Sequence, residues 1–401
     1  MDSQRATISI EDREYTETEF LKQLFQAAQE YGYGFALWRL PNQPTTQVVL
    51  SHSLESFSLD TPFEELPSGF LFHPFDLKKQ GVFIKADLMF RFTEGALIAE
   101  DSQLSSNSLT WFKENVQKKK FPETTVTPKH ITLPQTKNKT DFEQLITTCV
   151  QQIASGDFEK IVPSRFKSIP LSKNFDILEA FQILCTTYSN ALISCLHTPQ
   201  DGTWLGATPE VLVSIEDKTI FRTVGMAGTQ PYQQGLNLRN VAWTQKEIEE
   251  QALVSRYIIN CFKKIRLREF EEHGPKTIVA GNLMHLKTDF SVDMKATNFP
   301  QLGSVMLKLL HPTSAVCGMP MESAAEFLLQ NEGYDRSFYS GFLGPINFQD
   351  NSHLFVNLRC MQLSGDQAIC YAGAGVTTDS IPEKEWEETE IKMNTLLQVI
   401  A

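Results

Sequence analysis

A chain of 401 residues, 41% hydrophobic and 21% charged, holds enough apolar material to bury a large core, either as one α/β unit or as two to three domains. Its net charge of −12 argues against a nucleic-acid binder, because backbone affinity comes from clustered Lys and Arg, and the longest basic run, Lys118–Lys120, reads as a solvated loop. The same charge allows a local anion site where a metal ion and a few cations meet.

Met1 to Arg5 carry no apolar signal-type segment, and no later run approaches the roughly 20 apolar residues of a membrane helix. A cytoplasmic protein without membrane contact is therefore expected. The seven cysteines show no Cys-x-x-Cys spacing and are expected to be reduced and mostly buried.

In chain order, the first hundred or so residues mix turns with short aromatic-rich strands at Gly34–Trp38 and Gly81–Ile84. The Ser-, Thr-, Lys- and Pro-rich stretch from about 101 to 140 reads as an exposed connection with one short helix at Leu109–Val116. Phe142, Leu145, Ile146, Cys149, Val150 and Ile153 then recur at the spacing of one helix face, and Gly156 supplies a stop. A strand over Phe158–Ile169 follows. Further apolar runs at Ala191–Cys195, Val211–Ile215 and Leu354–Met361 alternate with helical stretches, which predicts a mixed α/β core.

Chemistry first shows as two carboxylate pairs, Glu247 with Glu250 and Glu385 with Glu388, each at i and i+3 of a helical segment and so on one face. Such faces are either solvated or supply oxygen ligands to a magnesium ion, which takes a few carboxylates, retained waters and a substrate anion. Lys392 falls on the same side as the second pair, as a substrate contact or as a surface ion pair. Arg359 lies in the run Leu354–Cys360, where strand alternation puts it on the face of Phe355 and Asn357, paired with an anion or at an exposed edge. Tyr371–Val376, after the hairpin Leu363–Gln367, has glycines that let backbone N–H groups approach a carboxylate, but it lacks the third glycine of a dinucleotide fingerprint.

The blocks Ser155 to Arg165, Ala207 to Glu210, Met226 to Thr229, Lys246 to Glu250, Leu283 to Leu286, His311 to Gly318, Tyr334 to Arg336, Arg359, Ala372 to Gly375 and Glu385 to Thr389 occur in that order. Together they resemble the chorismate-utilising enzymes, a family of isochorismate, salicylate, anthranilate and aminodeoxychorismate synthases, over roughly Asp141 to Ile400. The resemblance implies a single large α/β unit over 1–401, of two packed, mostly antiparallel sheets with outer helices. Residues 1–140 would be its divergent N-terminal part and 141–401 its motif-bearing catalytic part.

The same resemblance assigns Glu250 and Glu388 to magnesium, with Glu247 and Glu385 as nearby or water-mediated partners. Gly228 and Thr229 would hold the ring carboxylate of chorismate. Tyr339, Arg359, the Gly373 to Gly375 backbone and Lys392 would cradle the enolpyruvyl carboxylate, and His285 would be a side-chain contact in the pocket. Lys160 occupies the position of the lysine base that activates water in some members, where anthranilate synthases carry Gln. Ala227 stands where aminodeoxychorismate synthases carry a nucleophilic lysine.

The implied activity is that of an isochorismate synthase without a glutamine amidotransferase subunit. An unprotonated Lys160 deprotonates the attacking water, and a protonated Glu210 helps the allylic hydroxyl leave. Salicylate synthase, with the same first step followed by pyruvate loss, is the alternative; that subgroup carries Thr at the position of Ala315. An aminating synthase component or an inactive chorismate binder fits less well. Two positions depart from the family pattern, Gln251 in place of a histidine and Gln230 in place of an arginine.

Overall fold

The computed structural model describes residues 8–10, 13–102, 138–232, 235–280 and 283–400; the helix expected at Leu109–Val116 lies outside them. Two nine-stranded sheets dominate, and every strand pair within them is antiparallel. The first sheet runs 164–170, 367–373, 360–364, 202–208, 192–198, 34–39, 45–51, 88–93, 96–102. The second runs 271–280, 283–293, 220–231, 211–216, 352–356, 342–346, 69–73, 81–85, 54–57. Strands from the first hundred residues complete both sheets.

Among the described residues there are seven α-helices: α1 (Glu17–Tyr31), α2 (Lys139–Ala154), α3 (Ile177–Thr187), α4 (Gln245–Lys264), α5 (Leu302–Leu310), α6 (Met321–Asn331) and α7 (Pro382–Leu397). None is long and apolar enough to cross a membrane. Helices α1, α3 and α7 cover the outer face of the first sheet, and α4 and α5 that of the second. Strand Gly34–Arg39 shows why its run is wholly buried. Phe35 and Leu37 face the helices, while Ala36 and Trp38 face the other sheet, so alternation puts no side chain in water. The middle layer is aromatic, with Trp38 against Phe70 and Phe72 stacked on Phe338. The cysteines are all free, and only Cys185 is less than buried.

Helix α2 forms where its periodicity predicts, with a capping box between Asn138 and Asp141 and with Phe142, Leu145, Ile146, Cys149 and Ile153 buried. The two long predicted strands are different: both are broken. Lys160–Ile161 forms a separate ribbon with Gly318–Met319, and after Val162-Pro163 the chain joins the first sheet as Ser164–Pro170, with Ser164 opposite Gly373. Proline has no N–H for a ladder, which is one reason for the break. Likewise Ser352–Val356 belongs to the second sheet and Cys360–Ser364 to the first. Arg359 therefore does not alternate with Phe355 and Asn357 on one strand face; it turns the crossing in a left-handed conformation, φ 48.

A second crossing runs beside it, from Gly202–Thr208 in the first sheet to Val211–Glu216 in the second, with Pro209 and Glu210 between. Hydrogen bonds tie the crossings together. The Thr208 hydroxyl donates to Val356 O at 2.6 Å, Ala207 N to Arg359 O at 2.9 Å, and Val356 N to Glu210 O at 2.9 Å.

The break after the Lys160 ribbon is stitched by a buried ion pair. Arg336, 1% exposed, donates to Glu332 at 2.6 and 2.7 Å, to Val316 O at 2.8 Å and to Val162 O at 2.6 Å. Glu332 also accepts from Ser164 N at 2.6 Å and from the Ser164 hydroxyl at 2.9 Å. Removing one partner leaves the other buried and uncompensated, so Arg336→Met should cost about 3–5 kcal/mol in a denaturant titration. The double variant with Glu332→Gln should recover part of that loss. A single variant within about 1 kcal/mol of the parent would contradict the stitch.

Candidate active site

A cavity of about 240 Å³ opens at the two crossings and is lined by every site residue named from the sequence except Glu385. Eight strand or loop segments and two helices converge there. Each side chain owes its place to one of them.

Helix α4 begins at a capping box in which Glu247 accepts from Thr244 N at 2.7 Å. Gln230 reinforces this, its Nε2 donating to Glu247 at 3.0 Å, so the departure at Gln230 still serves Glu247. Glu250, one turn further on, pairs with Lys160 Nζ at 2.6 Å and accepts from Gly228 N at 3.4 Å. Burial pushes the Glu250 carboxyl up, but Lys160, Lys392 and the Gly228 N–H outweigh it and hold the group below its ordinary value. Gln251, the other departure, faces away from the cavity. Its amide nitrogen donates to Gly225 O and the Thr288 hydroxyl, both at 3.0 Å, and so fixes α4 on the second sheet.

On α7, Glu388 pairs with Lys392 at 2.6 Å, and Lys392 also donates to Gly373 O at 2.8 Å. Lys392 is thus part of the cavity wall. Burial raises the Glu388 carboxyl and the Glu250 charge opposes its ionisation, yet Lys392 and Arg359 keep it below the ordinary range. Glu385 lies deeper, 4% exposed, with Lys246 Nζ 3.8 Å away. Burial and the neighbouring Glu388 push its carboxyl up.

These donors fit magnesium. Two ionised carboxylates from different helices, each ion-paired with a lysine, match an ion that takes one or two carboxylates, retained waters and a substrate oxygen. Among the described residues no three His, Cys, Asp or Glu side chains converge into a fuller cage. Glu250 and Glu388 would hold such an ion directly, with Glu247 and Glu385 one turn away on the same helices.

Gly228 and Thr229 sit in a bulge, where the pairing of 220–231 with 283–293 skips from Ala227 to Gln230. The bulge frees Gly228 N from the ladder. Gly228 has φ 70, and a Cβ there would lie 3.2 Å from Glu247 Cβ, so only glycine fits the turn against α4. Its carbonyl meets His285 Nδ1 at 2.9 Å. A carbonyl only accepts, so Nδ1 carries the proton and Nε2 is left as an acceptor. Burial, with Arg359 nearby, pushes the imidazole down to about 4 and keeps it neutral.

At the other end, Arg359 lines the cavity, and among the described residues its guanidinium has no hydrogen-bond partner. Burial lowers its pKa while Tyr339, Glu388 and Glu210 oppose that; such a cation calls for an anion. Tyr339 stacks on Tyr371 with centroids 5.4 Å apart. A Cβ on Gly373 would lie 3.2 Å from the Tyr339 hydroxyl, and one on Gly375 would lie 3.0 Å from Lys160 Cε and 3.3 Å from Glu250 Oε1. At both positions a Cβ would force its neighbours to give by a few tenths of an ångström.

Three contributors escaped the sequence reading. Lys246 stands at the rim of the cavity, and Tyr371 backs Tyr339. Arg165 grips α7, donating to the Thr389 hydroxyl at 2.8 Å, pairing with Glu390 and lying 3.6 Å over the Trp386 ring. All three fall inside or beside the blocks quoted above, but only their placement distinguishes them from ordinary members.

Glu210 is the outlier in protonation. Burial raises its carboxyl to about 7, against the pull of Lys160, Arg359 and Lys392. In the unfolded chain it would titrate near 4.5, so from there to about 7 the folded state binds the extra proton and stability falls as pH rises. Glu210→Gln removes that loss. Its thermal midpoint should exceed the parent's by a few degrees at about pH 8, and the gap should close by about pH 4. A constant gap at both pH values would mean that Glu210 ionises normally in the folded protein.

Residues 48–401 match a family model described as chorismate binding enzyme. Isochorismate synthase EntC of Escherichia coli K12 is 30% identical over 271 residues, covering 65% of this chain and 67% of that protein. Isochorismate synthase MenF of the same organism is 26% identical over 322 residues, 73% and 71% of the two chains. In three dimensions the chain superposes on the E. coli menaquinone-specific isochorismate synthase MenF with TM-score 0.75 at 21% identity, covering 94% of this chain and 91% of the other. It also superposes on anthranilate synthase component I of Streptococcus pneumoniae, TM-score 0.68 at 19% identity over 90% and 89%, so the fold by itself does not choose between activities. With nearly its whole length matched and its predicted residues gathered in one cavity, the chain belongs to the chorismate-binding enzyme family.

Proposed function

We propose that this enzyme is an isochorismate synthase that isomerises chorismate with magnesium held between α4 and α7. One observation carries the reading: Lys160 and a Glu210 that keeps its proton to about 7 line the same cavity. That is one group to take a proton and one to give it. Both relatives named above, EntC and MenF, are isochorismate synthases and support the choice.

The unpartnered guanidinium of Arg359, with Tyr339 and Lys392, receives the enolpyruvyl carboxylate, and the Gly228–Thr229 bulge receives the ring carboxylate. Glu250 and Glu388 would hold the magnesium, which would supply charge neutralisation at the ring carboxylate. Lys160 directs a water at the ring carbon beside the carboxylate-bearing carbon and takes its proton. The new C–O bond forms as the ring double bonds shift and the allylic C–O bond breaks. Glu210 gives its proton to the departing oxygen, which leaves as water.

An unprotonated Lys160 is reached only by leaving a close partner, since its Nζ lies 2.6 Å from Glu250. It must part from that carboxylate before it can act as a base, so loading of the metal-binding carboxylate and release of the base are coupled.

Incubation with chorismate and magnesium, followed by chromatography, should yield isochorismate. Salicylate with pyruvate would favour the alternative, and an amino product with ammonium salts would overturn the assignment. Chelation should abolish turnover, as should Glu250→Gln or Glu388→Gln in folded protein. Lys160→Gln should keep chorismate affinity and lower turnover by about 10²-fold or more. Retention of more than about a tenth of parental turnover would require another base.

A further inference from the structure

Behind Glu210 lies a second, smaller cavity of about 20 Å³ that shares Glu210, Met226 and Ala315 with the main one. Most of its wall is aliphatic, from residues such as Leu212, Val254 and Leu310, but four hydroxyl side chains line it as well: Thr223, Tyr257, Thr313 and Ser314. Two of these have protein acceptors. The Thr223 hydroxyl donates to Leu212 O and the Tyr257 hydroxyl to Leu309 O, both at 2.7 Å. The other two do not: the hydroxyls of Thr313 and Ser314 are buried with no hydrogen-bond partner among the described residues, and Ser314 is 1% exposed.

Buried orphan hydroxyls are costly, and roughly 10–15 Å³ of probe-occupied space is enough to house one water if two to four polar groups meet it. Here the space suffices for a single water, and the polar groups are the two orphan hydroxyls and Glu210.

We propose that this cavity holds one ordered water that accepts from the Thr313 and Ser314 hydroxyls and donates to the Glu210 carboxyl, which makes Thr313 and Ser314 positioning residues for the proton donor. The inference rests on the reading of Glu210 as that donor. When Glu210 gives its proton to the departing oxygen, it is left as a carboxylate facing an aliphatic wall. A water held by two hydroxyls points a hydrogen at that charge without needing to reorient. The charged groups acting on this carboxyl are Lys160, Arg359 and Lys392 from the main cavity; Tyr257, the other titratable residue of the small cavity, gives its hydroxyl hydrogen to Leu309 O. None of these is altered by changing Thr313 or Ser314.

The test compares the parent, Thr313→Val/Ser314→Ala and Thr313→Ser. Three readouts are needed: a high-resolution crystal structure of the parent, the Glu210 carboxyl titration by difference infrared against Glu210→Gln, and kcat with KM for chorismate. The parent should show one water in the cavity. The double variant should titrate about one pH unit higher, with kcat about tenfold lower and KM near parental. The conservative Thr313→Ser should restore both quantities relative to loss of the hydroxyl; each single variant is measured too, in case the double variant does not fold.

A parent cavity without water, or a double variant with unchanged titration and kcat, would overturn the proposal. A raised titration with parental kcat would instead overturn the role of Glu210 as donor, and the positioning role with it, while leaving the water in place.

Discussion

Everything catalytic in this molecule depends on two chain crossings that are hydrogen-bonded to each other. Thr208 to Val356, Ala207 to Arg359 and Val356 to Glu210 form a seam at which both crossings pass from one sheet to the other. A strand inside a sheet points its side chains into a packed layer; a residue at the seam can point along the gap between layers. That is how a carboxyl and a guanidinium come to share a cavity in an otherwise apolar, aromatic interior. The left-handed conformation of Arg359 is part of the arrangement, costing about 1–2 kcal/mol that the surrounding ladder must offset.

Charge within the cavity is arranged in pairs that can be exchanged. Lys160 balances Glu250 and Lys392 balances Glu388, while Arg359 has no such partner among the described residues. On the proposed function, a ligand with two carboxylates together with a divalent cation would complement this layout, Glu250 and Glu388 holding the cation and the lysines facing the ligand and water. Glu210, held protonated by burial, stands outside the exchange. A site of this kind is preorganised for charge redistribution more than for simple attraction.

What could be read from the sequence was what is local. A helix shows its buried face and its carboxylate pairs by spacing alone, so α2, Glu247 with Glu250, and Glu385 with Glu388 were legible, and the family blocks named nearly every cavity residue. Spacing does not report depth, which is why Glu385 and Glu388, three residues apart, differ in reaching the cavity. It does not report which sheet receives a strand either. Phe158–Ile169 and Leu354–Met361 look continuous because both halves are buried, although the halves belong to different ladders. Glu332 with Ser164, Arg336 with Val162, and Arg165 with Thr389 and Glu390 are contacts between distant segments that no local pattern encodes. The two orphan hydroxyls are defined only by the absence of partners, a property of the folded chain.

The central claim is that a water placed by Lys160 becomes the new hydroxyl while the old one leaves with the Glu210 proton. Turnover of chorismate in ¹⁸O-enriched water, stopped early and read by mass spectrometry of the isolated product, tests it most directly. The account predicts isochorismate carrying one solvent oxygen, at the hydroxyl beside the carboxylate-bearing carbon. Isochorismate that retains the substrate's own hydroxyl oxygen would contradict it.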